Sequence, residues 1–154
     1  MDNQKRKFNP IIKKILIIGG ILFIAGLVAA WYIFTEKFKD TSGIKADYTV
    51  NAMDLLQEFR QNDSLANIKY DEKIIIVNGI VSELEQADTT INIKFTDTTS
   101  GAYIICAFQQ QHLDEAKAIK EGDKISVKGS CSGGAYSNIL EAEYITFKRC
   151  ALNK

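Results

Sequence analysis

The sequence predicts a mainly β domain: a five-stranded barrel with one helix between its third and fourth strands, preceded by a short helix and an N-terminal transmembrane helix. Three patterns in the 154 residues lead to this prediction. One long apolar run lies near the N-terminus. Five later runs are short and rich in β-branched or alternating apolar residues, which is typical of strands. An apolar repeat at helical spacing separates the third of these runs from the fourth.

The apolar run extends from Ile15 to Phe34 and contains no charged residue. Twenty residues at 1.5 Å each span about 30 Å, the thickness of the hydrocarbon core of a bilayer. A backbone in lipid must satisfy its own hydrogen bonds, so we expect a transmembrane helix over residues 15–34. Trp31 and Tyr32 lie at its C-terminal end, where amphipathic rings favour the membrane interface.

Basic residues set the expected orientation of this helix. Residues 1–14 form a basic segment, and most of the chain's early positive charge precedes the apolar run. The positive-inside rule therefore predicts a cytoplasmic N-terminus and a C-terminal domain on the other side of the membrane. A cleaved signal peptide with its site after Ala30 is the alternative, although the apolar run is longer than such peptides usually have. The preceding basic residues are Lys5, Arg6, Lys7, Lys13 and Lys14.

A polar connector, residues 35–49, leads to the predicted globular domain, residues 50–150. The domain begins with a helix over residues 52–60, for which Asn51 is a suitable N-cap. A second helical turn is expected over residues 64–69. Both segments carry apolar residues at helical spacing, and we expect them to pack on the domain.

The strand pattern begins at Lys73. The first predicted strand is long and contains Gly79, where a barrel strand bends or lies against a neighbour. Three strands, a helix and two strands follow the order of the OB-fold barrel. An open α+β sheet is the competing architecture. The five strands are predicted over residues 73–84, 91–96, 102–108, 124–131 and 139–147, with the helix at Leu113, Ala116 and Ile119 and a glycine-rich loop over residues 132–138.

Several segments of the domain resemble the bacterial tRNA_anti-like OB-fold family. They are Ala66–Lys73, Ile76–Val81, Ile104–Phe108 and Glu121–Gly133, and the similarity covers roughly residues 50–147. Members of the family often follow a membrane segment or a lipoprotein signal. The resemblance implies an OB-fold rather than an activity. With the charge pattern, it places the chain in a bacterial inner membrane with a periplasmic C-terminal domain.

Charge separates the two parts of the chain. Residues 1–40 carry a net charge of +4, whereas residues 41–154 carry −4. A mildly acidic domain is not a general attractant for phosphate backbones. Cys106, Cys131 and Cys150 are an odd number of cysteines, so at least one is expected to be a free thiol, and the sequence leaves their pairing open.

An OB-fold binds ligands across its second and third strands. On this chain the outward positions there include Lys94, Tyr103 and Ile105, and Tyr136 lies in the glycine-rich loop that we expect to frame them, opposite a loop over residues 85–89. Tyrosine rings stack on bases or sugars, and a lysine contacts phosphate. With one lysine on this face, a protein or an envelope saccharide is the expected partner; a nucleic acid of the tRNA anticodon-binding type is the alternative.

The sequence does not predict an enzyme. His112 is the only histidine, and no nucleophile or base is evident beside it. Glu141 and Glu143 share one face of a strand, but an exposed strand edge explains them. No metal-ligand spacing, phosphate loop or dinucleotide fingerprint occurs, so we expect no metal and no cofactor.

Overall fold

A computed structural model describes residues 10–35, 39–87 and 89–154. These form two compact units, one up to Lys39 and one over Asp40–Lys154. Several residues named above lie outside the described residues. They are Lys5, Arg6 and Lys7, and the predicted loop over residues 85–89 also contains one such position, residue 88.

The first unit contains helix α1, Pro10–Thr35. Its segment Leu16–Phe34 has a mean hydropathy of 2.4 and none of it is buried. By length and composition it qualifies as a membrane span, and a signal sequence near an N-terminus meets the same criteria. The predicted apolar helix is confirmed.

The second unit is mainly β. Its helices α2 and α3 precede the main strands, and α4 lies between β5 and β6 as predicted. The helices are α2 (Ala52–Gln61), α3 (Asp63–Tyr70) and α4 (Leu113–Ala116). The strands are β1 (Tyr48–Asn51), β2 (Ile74–Ile80), β3 (Glu83–Gln86), β4 (Ile91–Thr96), β5 (Tyr103–Phe108), β6 (Lys124–Ser137) and β7 (Ala142–Leu152).

The seven strands form one open sheet in the order β1-β2-β6-β7-β5-β4-β3, so the predicted five-stranded closed barrel is wrong. The predicted first strand divides into β2 and β3 at Val81 and Ser82. The two halves have different partners: β2 pairs with β6, and β3 pairs with β4. In addition, β1 joins β2 in parallel as an edge strand.

The sheet is nevertheless strongly curled. Strands β2 and β3 lie towards opposite ends of the strand order, yet only Val81 and Ser82 connect them. The Val81 N–H donates to the carbonyl of Asp123, and the Ser82 N–H donates to the carbonyl of Lys94, both at 2.9 Å. Two adjacent residues thus bond to segments from the two sides of the sheet.

The glycine-rich segment is a strand, not the predicted loop. Strand β6 continues to Ser137, and the turn to β7 occupies residues 138–141. Pairing with β7 shifts register between Cys131 and Gly134, which is a bulge. The side chain of Asn67 on α3 bonds to Gly134 there: the Gly134 N–H donates to Oδ1 at 2.9 Å, and Nδ2 donates to the Gly134 carbonyl at 3.1 Å. The Asn67 side chain therefore forms hydrogen bonds with backbone groups that a bulge leaves without strand partners.

One core lies between the inner face of the sheet and α2. Helix α2 begins at the predicted cap, since the Asn51 side chain accepts a hydrogen bond from the Met53 N–H at 3.0 Å. Its apolar face is fully buried through Leu55, Leu56 and Phe59. Alternate residues of β4 and β5 are buried against it, as the period-two pattern predicts. The other residues of these two strands are left on the outer face.

Candidate ligand-binding face and the adjoining cavity

The outer face of β4 and β5 carries three of the four predicted site residues. Lys94 and Ile105 are directly paired across the two strands, and Tyr103 is paired with Thr96. All are half-buried. The strand pattern brings Lys94, Tyr103 and Ile105 together because each lies at an alternate position between buried residues.

Lys94 is enclosed by acidic side chains from β3. Its ammonium group lies 3.2 Å from Glu83 Oε2 and forms a closer ion pair with Glu85 Oε1, and 18% of its side chain is exposed. The Glu85 carboxylate raises the pKa of Lys94, and Lys94 lowers the pKa of Glu85. The two glutamates neutralise this cation, so the face lacks the positive track of a nucleic-acid groove.

Tyr103 forms a stacked pair with Tyr144. Their ring centroids are 6.0 Å apart, with planes inclined by 20°, and Lys94 Nζ lies 5.6 Å from the centre of the Tyr103 ring. Tyr144 belongs to β7, which runs parallel to β5 and pairs Tyr144 with Tyr103. We define the outer face by Lys94, Tyr103, Ile105 and Tyr144. The alternation of Tyr144 and Thr146 with buried Ile145 and Phe147 is the sequence signal for this fourth member.

Tyr136 does not join the outer face. It is paired with Glu143, whereas its neighbour Ala135 is paired with Tyr144. Successive residues of a strand point to opposite faces, so Tyr136 lies on the helix side of the sheet. The predicted framing loop is part of β6, which removes the basis for grouping Tyr136 with Lys94.

A small cavity lies where Tyr136 meets helix α2. Its volume is about 10 Å³, and its walls include Leu56, Phe59, Tyr136, Glu143 and Tyr144. Tyr144 therefore borders both the cavity and the outer face. One oxygen of Glu143, Oε2, is buried without a hydrogen-bond partner among the described residues.

His112 ends a 3₁₀ turn, Gln110–His112, and holds the segment that precedes β1. Its Nε2 lies 2.8 Å from Asp40 Oδ1, and 13% of its side chain is exposed. This hydrogen bond is the main reason that the pKa of Asp40 is lowered from 3.8 to about 2. Lys128 donates to the carbonyls of Ser42 and Ile44 nearby. His112 therefore has a hydrogen-bond partner in the segment that precedes β1.

The cysteines are three buried free thiols. Burial raises the pKa of Cys131 to about 11 and raises the pKa of Cys150 as well. A raised pKa disfavours the reactive thiolate, so these side chains serve as core residues in this structure. In the part of the chain that the structure describes, no group of three His, Cys, Asp or Glu side chains is arranged to hold a metal ion.

The second unit is thus a small β-rich domain with one open, curled sheet, a helix between β5 and β6 and an aromatic outer face. The chain belongs to the tRNA_anti-like family, whose model matches residues 3–143. The resemblance seen in the sequence is confirmed.

Among solved structures, the chain is similar to a crystal structure described as a "putative nucleic acid-binding lipoprotein" from Klebsiella pneumoniae subsp. pneumoniae MGH 78578. The TM-score is 0.53 with 13% identity over 77% of this chain and 100% of that one. At this identity the likeness establishes the fold alone. Comparison with curated proteins gave no match.

Proposed function

We propose that this protein is a single-pass membrane-anchored OB-fold module that binds a protein or an envelope saccharide outside the bacterial inner membrane, and that it is not an enzyme. The composition of the outer face is the main support for this proposal. This face presents two stacked tyrosines and Ile105 beside a lysine whose charge two glutamates neutralise. Aromatic residues with few net charges are typical of surfaces that bind proteins or sugars.

Anchoring rests on α1 and on the preceding charges. None of the segment Leu16–Phe34 is buried within the protein, and a bilayer would bury its apolar surface. Five basic residues before the helix favour a cytoplasmic N-terminus and a periplasmic domain. The domain would then meet its ligand at the outer surface of the inner membrane.

A nucleic-acid ligand is the second candidate. The Tyr103–Tyr144 pair favours it, because bases stack on tyrosine rings, and the Klebsiella protein is described as nucleic acid-binding. Against it, Lys94 is the only basic residue on β4 and β5 and is already paired, and residues 41–154 carry a net charge of −4. We expect single-stranded DNA or RNA to bind no more tightly than about 10⁻⁴ M at physiological salt.

Site-specific photo-crosslinking tests the proposed function. A photo-crosslinking amino acid at Ile105 samples the outer face, and the same group at the exposed Lys120 is the control. The full chain is expressed in its membrane and irradiated. We expect discrete protein adducts, or adducts that glycosidase treatment shortens, at position 105 and not at position 120. The adducts should be lost when Tyr103→Ala is added.

Two results would contradict the proposal. Identical adducts at both positions, or no adduct at position 105, would show that the outer face does not bind a ligand in the membrane. Micromolar binding of single-stranded nucleic acid would support the second candidate instead, if the affinity falls steeply with salt concentration and is lost on Tyr103→Ala or Lys94→Ala.

A further inference from the structure

The cavity between Tyr136 and helix α2 is lined by both apolar and acidic side chains. Leu56, Phe59 and Tyr136 supply apolar and aromatic surface, whereas Asp63 and Glu143 supply carboxylates. None of the described residues that line the cavity is basic. Acidic and aromatic groups without a cation are complementary to a positively charged ligand.

Glu143 is the polar group that most requires a partner. Its Oε2 atom is buried and accepts no hydrogen bond from any residue that the structure describes. A buried carboxylate oxygen without a donor is unfavourable, because it has lost water and gained nothing in return. The lining residue Asp63 differs, since its Oδ1 already accepts from the backbone and hydroxyl of Ser64. Of the two carboxylates that line the cavity, only Glu143 has a buried oxygen without a hydrogen-bond partner among the described residues.

The volume of the cavity limits the size of the cation that it can hold. A volume of about 10 Å³ has room for one water-sized group. A primary ammonium group has this size and carries three donors, whereas a guanidinium is planar and larger. Tyr136 lines the cavity and is 57% exposed, so its ring offers apolar surface against which a hydrocarbon stem can lie.

We propose that this cavity binds the ammonium group of a lysine side chain of a protein partner. The ammonium group donates to Glu143 Oε2, and the rings of Phe59 and Tyr136 face it. Tyr144 borders the cavity, and its ring stacks on Tyr103 on the other face of the sheet, so the cavity and the outer face share one residue. The inference rests on the proposed function and specifies its protein partner by a lysine at the contact.

NMR titration of the full chain in detergent micelles tests the inference. The probe is Nα-acetyl-lysine amide, and the matched neutral compound is the same molecule with its ε-amine acetylated. We expect saturable shifts of the Glu143 carboxyl carbon and the Tyr136 amide with the first compound and none with the second. The corresponding arginine derivative should bind more weakly, because its guanidinium group is too large for the cavity.

Two variants locate the binding. Glu143→Gln keeps the shape of the side chain and removes its charge, so we expect binding about tenfold weaker. Glu141→Gln removes an exposed carboxylate two residues away and should leave binding unchanged. If Glu143→Gln loses the native spectrum, Tyr136→Ala replaces it, and the same weakening is expected from the loss of the ring and the stem contact.

Three outcomes would overturn the inference: equal shifts from the lysine and acetyl-lysine compounds, no shifts at the highest soluble concentration, or a long-lived water at Glu143 that the lysine compound does not displace. Crosslinking at Ile105 distinguishes a failure of this inference from a failure of the proposed function. Protein adducts at position 105 without a lysine response would discard the cavity and keep the binding face.

Discussion

Gly79 lies in the middle of β2, where the sequence predicts either a bulge or a close contact. The register between β2 and β6 continues without a shift through the pair Gly79 and Ile125, so there is no bulge. Instead, a Cβ at position 79 would lie 2.8 Å from the ring of Phe95 and 3.0 Å from the Cβ of Ala52. The missing side chain lets the sheet and helix α2 close over the Phe95 ring.

Replacing Gly79 by valine should therefore destabilise the domain. Valine is the better strand former, but its Cβ would overlap the fully buried ring of Phe95. Overpacking of this kind costs about 1–3 kcal/mol. Denaturant melts of residues 40–154 measure the change, and Gly43→Val, where a Cβ meets nothing within 4 Å, is the control. A midpoint for Gly79→Val that equals the wild-type value would contradict the packing described here.

The hydrogen bond between Asp40 and His112 should be visible in the titration of Asp40. The pKa of Asp40 is lowered from 3.8 to about 2, so the folded state favours the charged carboxylate. Its contribution to stability is complete above pH 3.8 and is lost as the pH falls through about 2. NMR of the carboxyl carbons should give a midpoint near the lower value.

In the His112→Ala variant the Asp40 midpoint should rise towards 3.8, although not fully, because Ser42 also lowers the pKa of Asp40. Asp114 is the internal control, since Lys117 holds its pKa down independently of His112. A wild-type Asp40 that titrates near 3.8 would show that the bond to His112 does not persist in solution.

At the scale of elements, local patterns predicted the helices and most strands because their signals lie within one segment. The period-two alternation of β4 and β5 identifies both the strands and the outward side chains Lys94, Tyr103 and Ile105. The glycine-rich end of β6 was missed because its strand conformation depends on distant groups. Asn67 bonds to Gly134 from 67 residues away, and no local pattern records that contact.

The same limit applies to the candidate site. Glu83 and Glu85 neutralise Lys94 only because the predicted first strand divides at Val81 and Ser82 and its second half pairs with β4. Tyr144 reaches Tyr103 only because β7 pairs with β5 in parallel. Pairing between strands that are distant in sequence thus decides the charge and the stacking of the outer face.

The contact between α3 and β6 should be important for stability. Asn67→Ala leaves the N–H and carbonyl of Gly134 without their side-chain partner, and a lost pair of partly buried hydrogen bonds costs about 1–3 kcal/mol. Asn67→Asp keeps the acceptor but not the donor and should lie between the wild type and Asn67→Ala. Leu65→Ala, on the exposed side of α3, is the matched control.

Thermal or denaturant unfolding of residues 40–154 measures these three variants. Amide hydrogen exchange at Gly134 adds a local readout, since its protection should fall in Asn67→Ala. If Asn67→Ala and Leu65→Ala unfold at the same midpoint and Gly134 keeps its protection, Asn67 does not hold the bulge.

At the scale of the whole molecule, the chain combines an exposed apolar helix with an acidic β domain. Residues 1–40 carry a net charge of +4, whereas residues 41–154 carry −4. A basic flank is retained on the cytoplasmic side of a bacterial membrane, whereas an acidic domain crosses with little penalty. The distribution of charge therefore leads to a definite prediction of topology.

Alkaline phosphatase, which is active only outside the cytoplasm, should be active when it is fused after Lys154. Green fluorescent protein fused at the same position should be dark, because it does not become fluorescent when the Sec pathway exports it. A variant that removes the charge bias should lose phosphatase activity. In this variant glutamate replaces Lys5, Arg6, Lys7, Lys13 and Lys14.

After cell fractionation, the wild-type chain should be found in the membrane fraction with its N-terminus intact. An inactive phosphatase fusion would reverse the topology, and a mature chain that begins at Trp31 would show a cleaved signal peptide in place of the anchor.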